Sequence, residues 1–278
     1  MVKSDFGIFA KKRRCYIVMK DRYVDWILHG HTLYWDMLGS MRGNNNHKGN
    51  VCWLSGDVNF SYDLTVSEPE ISEQIKQIIQ RIKSGEIPGN LTISPVSAPA
   101  GVNLLDCFMK TGLFKMNFQS PGMAKELKQE TIFPKPEKRL NIFRINDLWQ
   151  LKTCGAILNA AFEYDLFSYG HYLDAFNMQD VGFYLAEYDG LPVSACMTIS
   201  GEDIVEIAWV GTLNGYRKKG IAGYIINAAE KDALQHGKSC AVLTAFEGAV
   251  NAYKRIGYKD CCMISVIDYT GDRLNSAL

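Results

Sequence analysis

Apolar positions recur along this chain at two spacings. Between Glu70 and Lys83 they fall at Ile71, Ile75, Ile78, Ile79 and Ile82, a period that lays them on one side of an amphipathic helix, which Gly85 then stops. Tyr23 to Met41 carries Trp26, Ile27, Leu33, Tyr34, Trp35, Met37 and Leu38 and predicts one or two helical segments, with Gly43 and the asparagines Asn44 to Asn46 as a loop after them. Short apolar or alternating runs predict strands at Val51 to Leu54, at Leu91 to Ile93 and from Phe114 to Phe118. A helix is expected over Val102 to Lys110, ended by Gly112.

Beyond Thr131 to Lys138, where Pro134 and Pro136 break the pattern, a second series begins. Leu140 to Ile145 reads as a strand, Leu148 to Phe162 and Tyr169 to Phe176 as helices. Gly182 to Tyr188 and Val193 to Ser200 form a hairpin around Asp189-Gly190, the strongest turn signal in the chain. Ile204 to Gly211 is almost continuously apolar and β-branched, as in a strand buried on both faces, and Glu206 is the one charge inside it. After a turn at Leu213 to Gly215 a helix runs from Ile221 to about Gln235. A strand at Cys240 to Ala245, a helix at Ala249 to Arg255 ended by Gly257, and a strand at Cys262 to Asp268 complete the chain.

Length and composition narrow the class. With 278 residues there is enough chain for two units with separate cores. Lys+Arg and Asp+Glu both number 30, so no general nucleic-acid or anionic-membrane surface is expected. The 8 cysteines are scattered without C-x-x-C spacing, which argues against a zinc site or a disulfide framework and for reduced thiols; Cys196 and Cys240 read as small core residues. No apolar stretch reaches the roughly 20 residues of a spanning helix, and the basic N-terminal cluster has no signal-peptide run behind it. A soluble, cytoplasmic protein without a metal is expected.

The candidate chemistry lies between Glu206 and Tyr258. A helix start exposes amides without acceptors and carries positive partial charge. After Arg217-Lys218-Lys219, the residues Gly220, Ile221, Ala222 and Gly223 are small enough around that start to let an anion approach. The spacing is neither G-x-G-x-x-G nor that of a nucleotide-hydrolysing loop. Arg217-x-x-Gly220-x-Ala222 resembles the R/Q-x-x-G-x-G/A loop of the GCN5-related N-acetyltransferases (GNAT). AVNAYKRIGYK resembles the same family's A-x-x-x-Y-x-x-x-G-[FY], through Ala249, Tyr253, Gly257 and Tyr258. The order of elements from residue 139 to 270 also follows that family. Phe246 stands where the family often has a cofactor-contacting asparagine.

The resemblance implies an α/β (α+β) fold: a mixed, mostly antiparallel central sheet flanked by helices, the acyl-CoA N-acyltransferase fold. Two such domains are expected, a degenerate acetyltransferase-like unit at 1–133, which has no such loop, and a catalytic unit at 139–278. It implies acetyl-CoA as co-substrate, its pyrophosphate on the amides of Arg217 to Gly223 and its pantetheine arm on the backbone of Val210, Gly211 and Thr212, where the central strand would splay from its neighbour. Lys218 and Lys219 add charge there. Transfer to an amine needs a base, because an alkylammonium has a pKa of about 10. Glu206 is the candidate, with Asp203 or Glu202 as alternatives if Glu206 faces out or pairs with a lysine. Tyr253 is the candidate acid for the leaving thiolate, against the plainer reading of a helix aromatic. The acceptor would be a small-molecule or peptide amine, with Tyr164, Tyr169, His171 and Tyr172 in the region that usually shapes its side, or simply packing. A homodimer is a possible assembly; the rival readings are a non-catalytic acetyl-CoA sensor and an enzyme taking aminoacyl groups from transfer RNA.

Overall fold

The computed structural model describes residues 22–42, 44–56, 59–163 and 168–271; the basic N-terminal cluster and Tyr164 lie outside them. The helices are α1 (Arg22–Arg42), α2 (Ile71–Lys83), α3 (Leu104–Met109), α4 (Leu148–Phe162), α5 (Tyr169–Phe176), α6 (Ile221–Gln235) and α7 (Val250–Arg255). The strands are β1 (Asn45–Lys48), β2 (Val51–Leu54), β3 (Phe60–Tyr62), β4 (Asn90–Ile93), β5 (Phe114–Glu126), β6 (Leu140–Arg144), β7 (Val181–Tyr188), β8 (Leu191–Ser200), β9 (Ile204–Thr212), β10 (Cys240–Thr244) and β11 (Lys259–Tyr269).

These strands join in one eleven-stranded sheet, ordered β1-β2-β3-β4-β11-β5-β10-β9-β8-β7-β6. Only β3/β4 and β9/β10 pair parallel; the other ladders are antiparallel. The fold is therefore a mixed, mostly antiparallel sheet flanked by helices. The connection 127–139, with its two prolines, has neither helix nor strand. In space, however, β5 from before that connection lies between β10 and β11 from after it, so the sheet runs unbroken through both stretches.

Three elements differ from the sequence reading, the first being strand β3 at Phe60–Tyr62, where no element is expected. The strand begun at Phe114 continues through Pro121 to Glu126, although Ser120-Pro121-Gly122 looks like a break. Proline lacks the N–H that a ladder needs, so β10 pairs with β5 only from Gly122 onward; Pro121 is held by the bond its carbonyl accepts from the Ala245 amide at 2.9 Å and by its place opposite Met263 of β11, so the missing donor falls at the end of the β10 ladder. The asparagine run is not a loop: Asn45 and Asn46 belong to β1, held opposite Leu54 and Trp53 of β2. The asparagine amides add bonds to more distant groups, Asn45 Nδ2 to the Asp36 carbonyl at 3.1 Å and Asn46 Nδ2 to Ser55 Oγ at 2.9 Å, beside the local one from Asn46 Nδ2 to the Asn44 carbonyl at 3.2 Å.

The predicted helices form where apolar spacing and caps agree. The Asp147 carboxylate accepts from the Gln150 amide at 2.8 Å and starts α4, a cap of the kind whose loss costs about 1 kcal/mol. The hairpin turn at Asp189 and Gly190 takes φ of 51° and 78°, as a two-residue turn of this type requires. One face of the sheet holds α6, whose Ile221, Ile225, Ile226 and Ala229 pack with Val205, Ile207 and Leu243. The opposite face carries α1, α4 and α5 against β7, β8 and β9. At the β1 end, α2 and α3 close a third cluster around Ile78, Leu91, Phe108 and Phe114. Cys196 and Cys240 are buried core residues.

Candidate active site

The site is built where β9 and β10 part. They pair at only three positions, ending at Val242 opposite Glu206. Beyond that point β9 stays on β8 as far as Thr212, while β10 follows β5, Thr244 opposite Gly122. A gap thus opens after Glu206, and the β10-facing edge of β9 from Ile207 to Thr212 has no strand partner. Within Val210 to Thr212, two carbonyls are already engaged: Gly211 accepts from Ser194 Oγ at 2.8 Å and Thr212 from Arg217 Nε at 2.9 Å.

At the mouth of this gap stands the N-terminus of α6. Gly220 is the N-cap, with φ 79° and no side-chain cap. The first carbonyl-directed bond of the helix is from the Tyr224 amide to the Gly220 carbonyl, 3.2 Å. Among the described residues none of the amides from Lys218 to Gly223 donates to a carbonyl or a side chain. Six successive open donors, added to the positive end of a helix dipole, make an anion cradle. Arg217 has a different place from its neighbours. Its amide donates to the Asn214 carbonyl at 3.3 Å, and its guanidinium donates to the carbonyls of Thr212 and of Ala161, the latter at 2.6 Å. Arg217 therefore ties the loop to the ends of β9 and α4, and the open amides begin at Lys218. The Lys218 side chain is exposed; Lys219 Nζ lies 5.0 Å and 5.1 Å from the ring centres of Tyr188 and Tyr216.

Glu206 is 5% exposed and faces α1. A Cβ built on Gly30 would come within 2.4 Å of Glu206 Oε2 and 2.7 Å of Val242 Cγ2, so the absent side chain at Gly30 is what leaves room for the carboxyl. Among the described residues the Glu206 carboxyl makes no ion pair and no hydrogen bond, and burial alone holds its pKa well above the usual carboxylate range. Glu202 and Asp203 are exposed at the opposite end of β9, separated from the gap by the paired segment of β9 and β10.

Tyr253, on α7, is half-buried beside Tyr258, ring centres 5.9 Å apart and edge-on. Its hydroxyl is pushed up, first by burial and then by the negative potential of Cys196 and Glu206; it keeps its proton throughout the neutral range. Of the four residues considered for the acceptor side, His171 caps α5 together with Ser168. Tyr172 is 2% exposed and donates to Asn159 Oδ1 at 2.9 Å, so both serve local structure. The residues that do surround the gap, Gly30, Tyr34, Phe162 and Trp209, come from distant stretches of the chain. No spacing in the sequence links them.

With this geometry in view, similarity to known proteins can be placed. Residues 147–258 match the model of the acetyltransferase (GNAT) family. That segment runs from the cap of α4 to Tyr258 and contains the cradle, Glu206 and Tyr253. Solved structures extend the likeness of fold across most of the chain. A GCN5-related N-acetyltransferase from Kribbella flavida is 19% identical with a TM-score of 0.64, over 89% of this chain and 97% of that one. One from Sphaerobacter thermophilus is 13% identical with a TM-score of 0.63, over 80% and 77%. A tandem GNAT protein from the clavulanic acid biosynthesis pathway is 12% identical with a TM-score of 0.59, over 80% and 78%. Among curated proteins, none matches by sequence. The described residues contain no cluster of three or more metal-ligating side chains and no helix long and apolar enough to cross a membrane.

Proposed function

We propose that the protein is an acetyl-CoA-dependent N-acetyltransferase that moves an acetyl group to the primary amine of a small molecule or peptide, directly and within a ternary complex. The observation that carries this reading is the run of open amides from Lys218 to Gly223 beside the unpaired edge of β9. A pyrophosphate suits the first, and an amide-bearing arm suits the second. The GNAT match of residues 147–258 supports the same reaction.

In this reading the carrier's thioester lies in the gap. The acceptor's ammonium gives a proton to ionised Glu206, and the lone pair of the free amine attacks the thioester carbonyl. The C–N bond forms, the C–S bond breaks, the departing thiolate takes the proton of Tyr253, and the second proton of the nitrogen passes to the Tyr253 phenolate. The two ionisable groups suit opposite tasks: Tyr253 holds its proton at neutral pH, whereas Glu206 must lose its own first. Open backbone N–H groups of β9 are the candidates to hold the carbonyl oxygen. We assign catalysis to residues 139–278 and regard 1–133 as a degenerate acetyltransferase-like unit without a cradle, so that one acetyl-CoA binds per chain.

The test is thiol release from acetyl-CoA with a panel of primary amines. Tyr253→Phe should lower kcat by roughly 10²-fold or more while the dissociation constant for acetyl-CoA stays nearly unchanged. Binding of acetyl-CoA with no amine-dependent release would instead favour a sensor.

A further inference from the structure

The carboxyl of Glu206 lies beside a belt of aromatic rings contributed by both halves of the sequence. Gly30 and Tyr34, four residues apart on α1, share a helix face; the first lies over Glu206 and the second places its ring 6.1 Å from that of Trp209. Trp209 reaches this side because β9 and β8 slip register between Met197 and Thr198. From Trp209 the belt continues to Phe162 at the end of α4, ring centres 5.0 Å apart and edge-on, and then to Phe246 at 6.1 Å. Phe246 follows β10, so Trp209 and Phe246 come from the two strands that part, and Phe246 is 59% exposed. The cradle and α7 occupy the other side of the sheet. The belt thus runs on the α1 side of the sheet from Tyr34 across Trp209 and Phe162 to Phe246, along the place where the two strands part.

We propose that the acceptor is a primary amine carried on an apolar, ring-bearing body, with its nitrogen toward Glu206 and its body against Trp209, Phe162 and Phe246. For its location this inference rests on the acyl-transfer reading above. Glu206 has no lysine or arginine partner among the described residues, so an entering ammonium meets a carboxyl that nothing else engages. The rings offer few hydrogen-bond partners to hydroxyls, so an aminosugar would lose water contacts there without replacing them.

Binding and turnover separate this inference from the reaction itself. The full chain with CoA is titrated with 2-phenylethylamine, glucosamine and spermidine by calorimetry, and thiol release from acetyl-CoA is followed with the same amines. 2-Phenylethylamine should bind about tenfold or more tightly than either polar amine, and Trp209→Ser should remove that margin while Trp209→Phe keeps it. Should Trp209→Ser fail to fold, Phe246→Ser, which alters an exposed ring, should reduce the margin in its place. Equal or tighter binding of glucosamine or spermidine overturns the inference, as does an unchanged margin in both folded serine variants. If the binding preference holds and no amine releases thiol, the acceptor assignment stands and the proposed reaction falls.

Discussion

Glu206 places a carboxyl in a buried strand with no partner to offset the cost. Because its folded pKa is raised above the unfolded value, the folded state holds the proton more tightly, so this group's contribution to stability is complete at acid pH. It is lost as pH rises from the ordinary carboxylate range through the raised folded value. Glu206→Gln should therefore flatten the decline of Tm between pH 5 and pH 8, which thermal melts at several pH values will measure. A steeper decline in the variant would count against an unpartnered buried carboxyl. In the proposed reaction the same ionisation should make activity rise with pH, since only the carboxylate can accept a proton, and a pH–rate profile of thiol release will measure it. Arg217 shows how a motif residue can act at one remove: its guanidinium spans the Thr212 and Ala161 carbonyls and fixes the frame from which the neighbouring amides point.

Helix α6 is shaped by its N-cap. Gly220 takes a φ of 79°, and the nearest atom to the place a Cβ would occupy there is Tyr224 Cε2 at 3.9 Å, so strain rather than crowding opposes a side chain. Gly220→Ala should cost about 1–2 kcal/mol in stability, and it should also weaken CoA binding, because the added methyl stands among the open amides. Paired thermal melts and calorimetric titrations will separate the two effects. Helix α1 presents the opposite case. At Gly30 a methyl would meet Glu206 Oε2 and Val242 Cγ2 at 2.4 Å and 2.7 Å, so Gly30→Ala must displace these side-chain ends or lift α1 and should destabilise by about 1–3 kcal/mol. A variant as stable as the parent would show that α1 does not seat on Glu206.

Across the whole molecule, the joint between the two sequence halves is strand β5. It is hydrogen-bonded to β10 on one side and β11 on the other, and Lys125 within it pairs with the fully buried Glu230 of α6 at 2.5 Å. Such a pair contributes little net stability, but breaking it leaves a buried charge. Lys125→Met alone should destabilise by about 3–5 kcal/mol, and adding Glu230→Leu should recover most of that loss. Denaturant unfolding of the three variants completes the cycle; simple additivity of the two changes would mean that the pair is not coupled. Phe133, in the connection 127–139, lies 5.7 Å from Lys125 Nζ, so even the proline-rich link rests on this joint.

Much of this protein follows from its sequence because the determining interactions are local. Helix periods, the Asp189-Gly190 turn, the apolar run of β9 with its single carboxylate and the small residues around Gly220 each act within a few positions of chain. The open amides at the start of α6 follow for that reason: a helix start leaves its first N–H groups without acceptors whatever lies elsewhere. Tertiary structure decided what depends on distant partners. It carried β5 through Pro121, which lies opposite Met263 of β11 and accepts from the Ala245 amide at the end of the β10 ladder, and it drew the asparagines into β1 with bonds to Asp36 and Ser55. It also placed Gly30 over Glu206 and Tyr34 beside Trp209. No periodicity records those contacts, because they arise only when one sheet gathers strands from both ends of the chain.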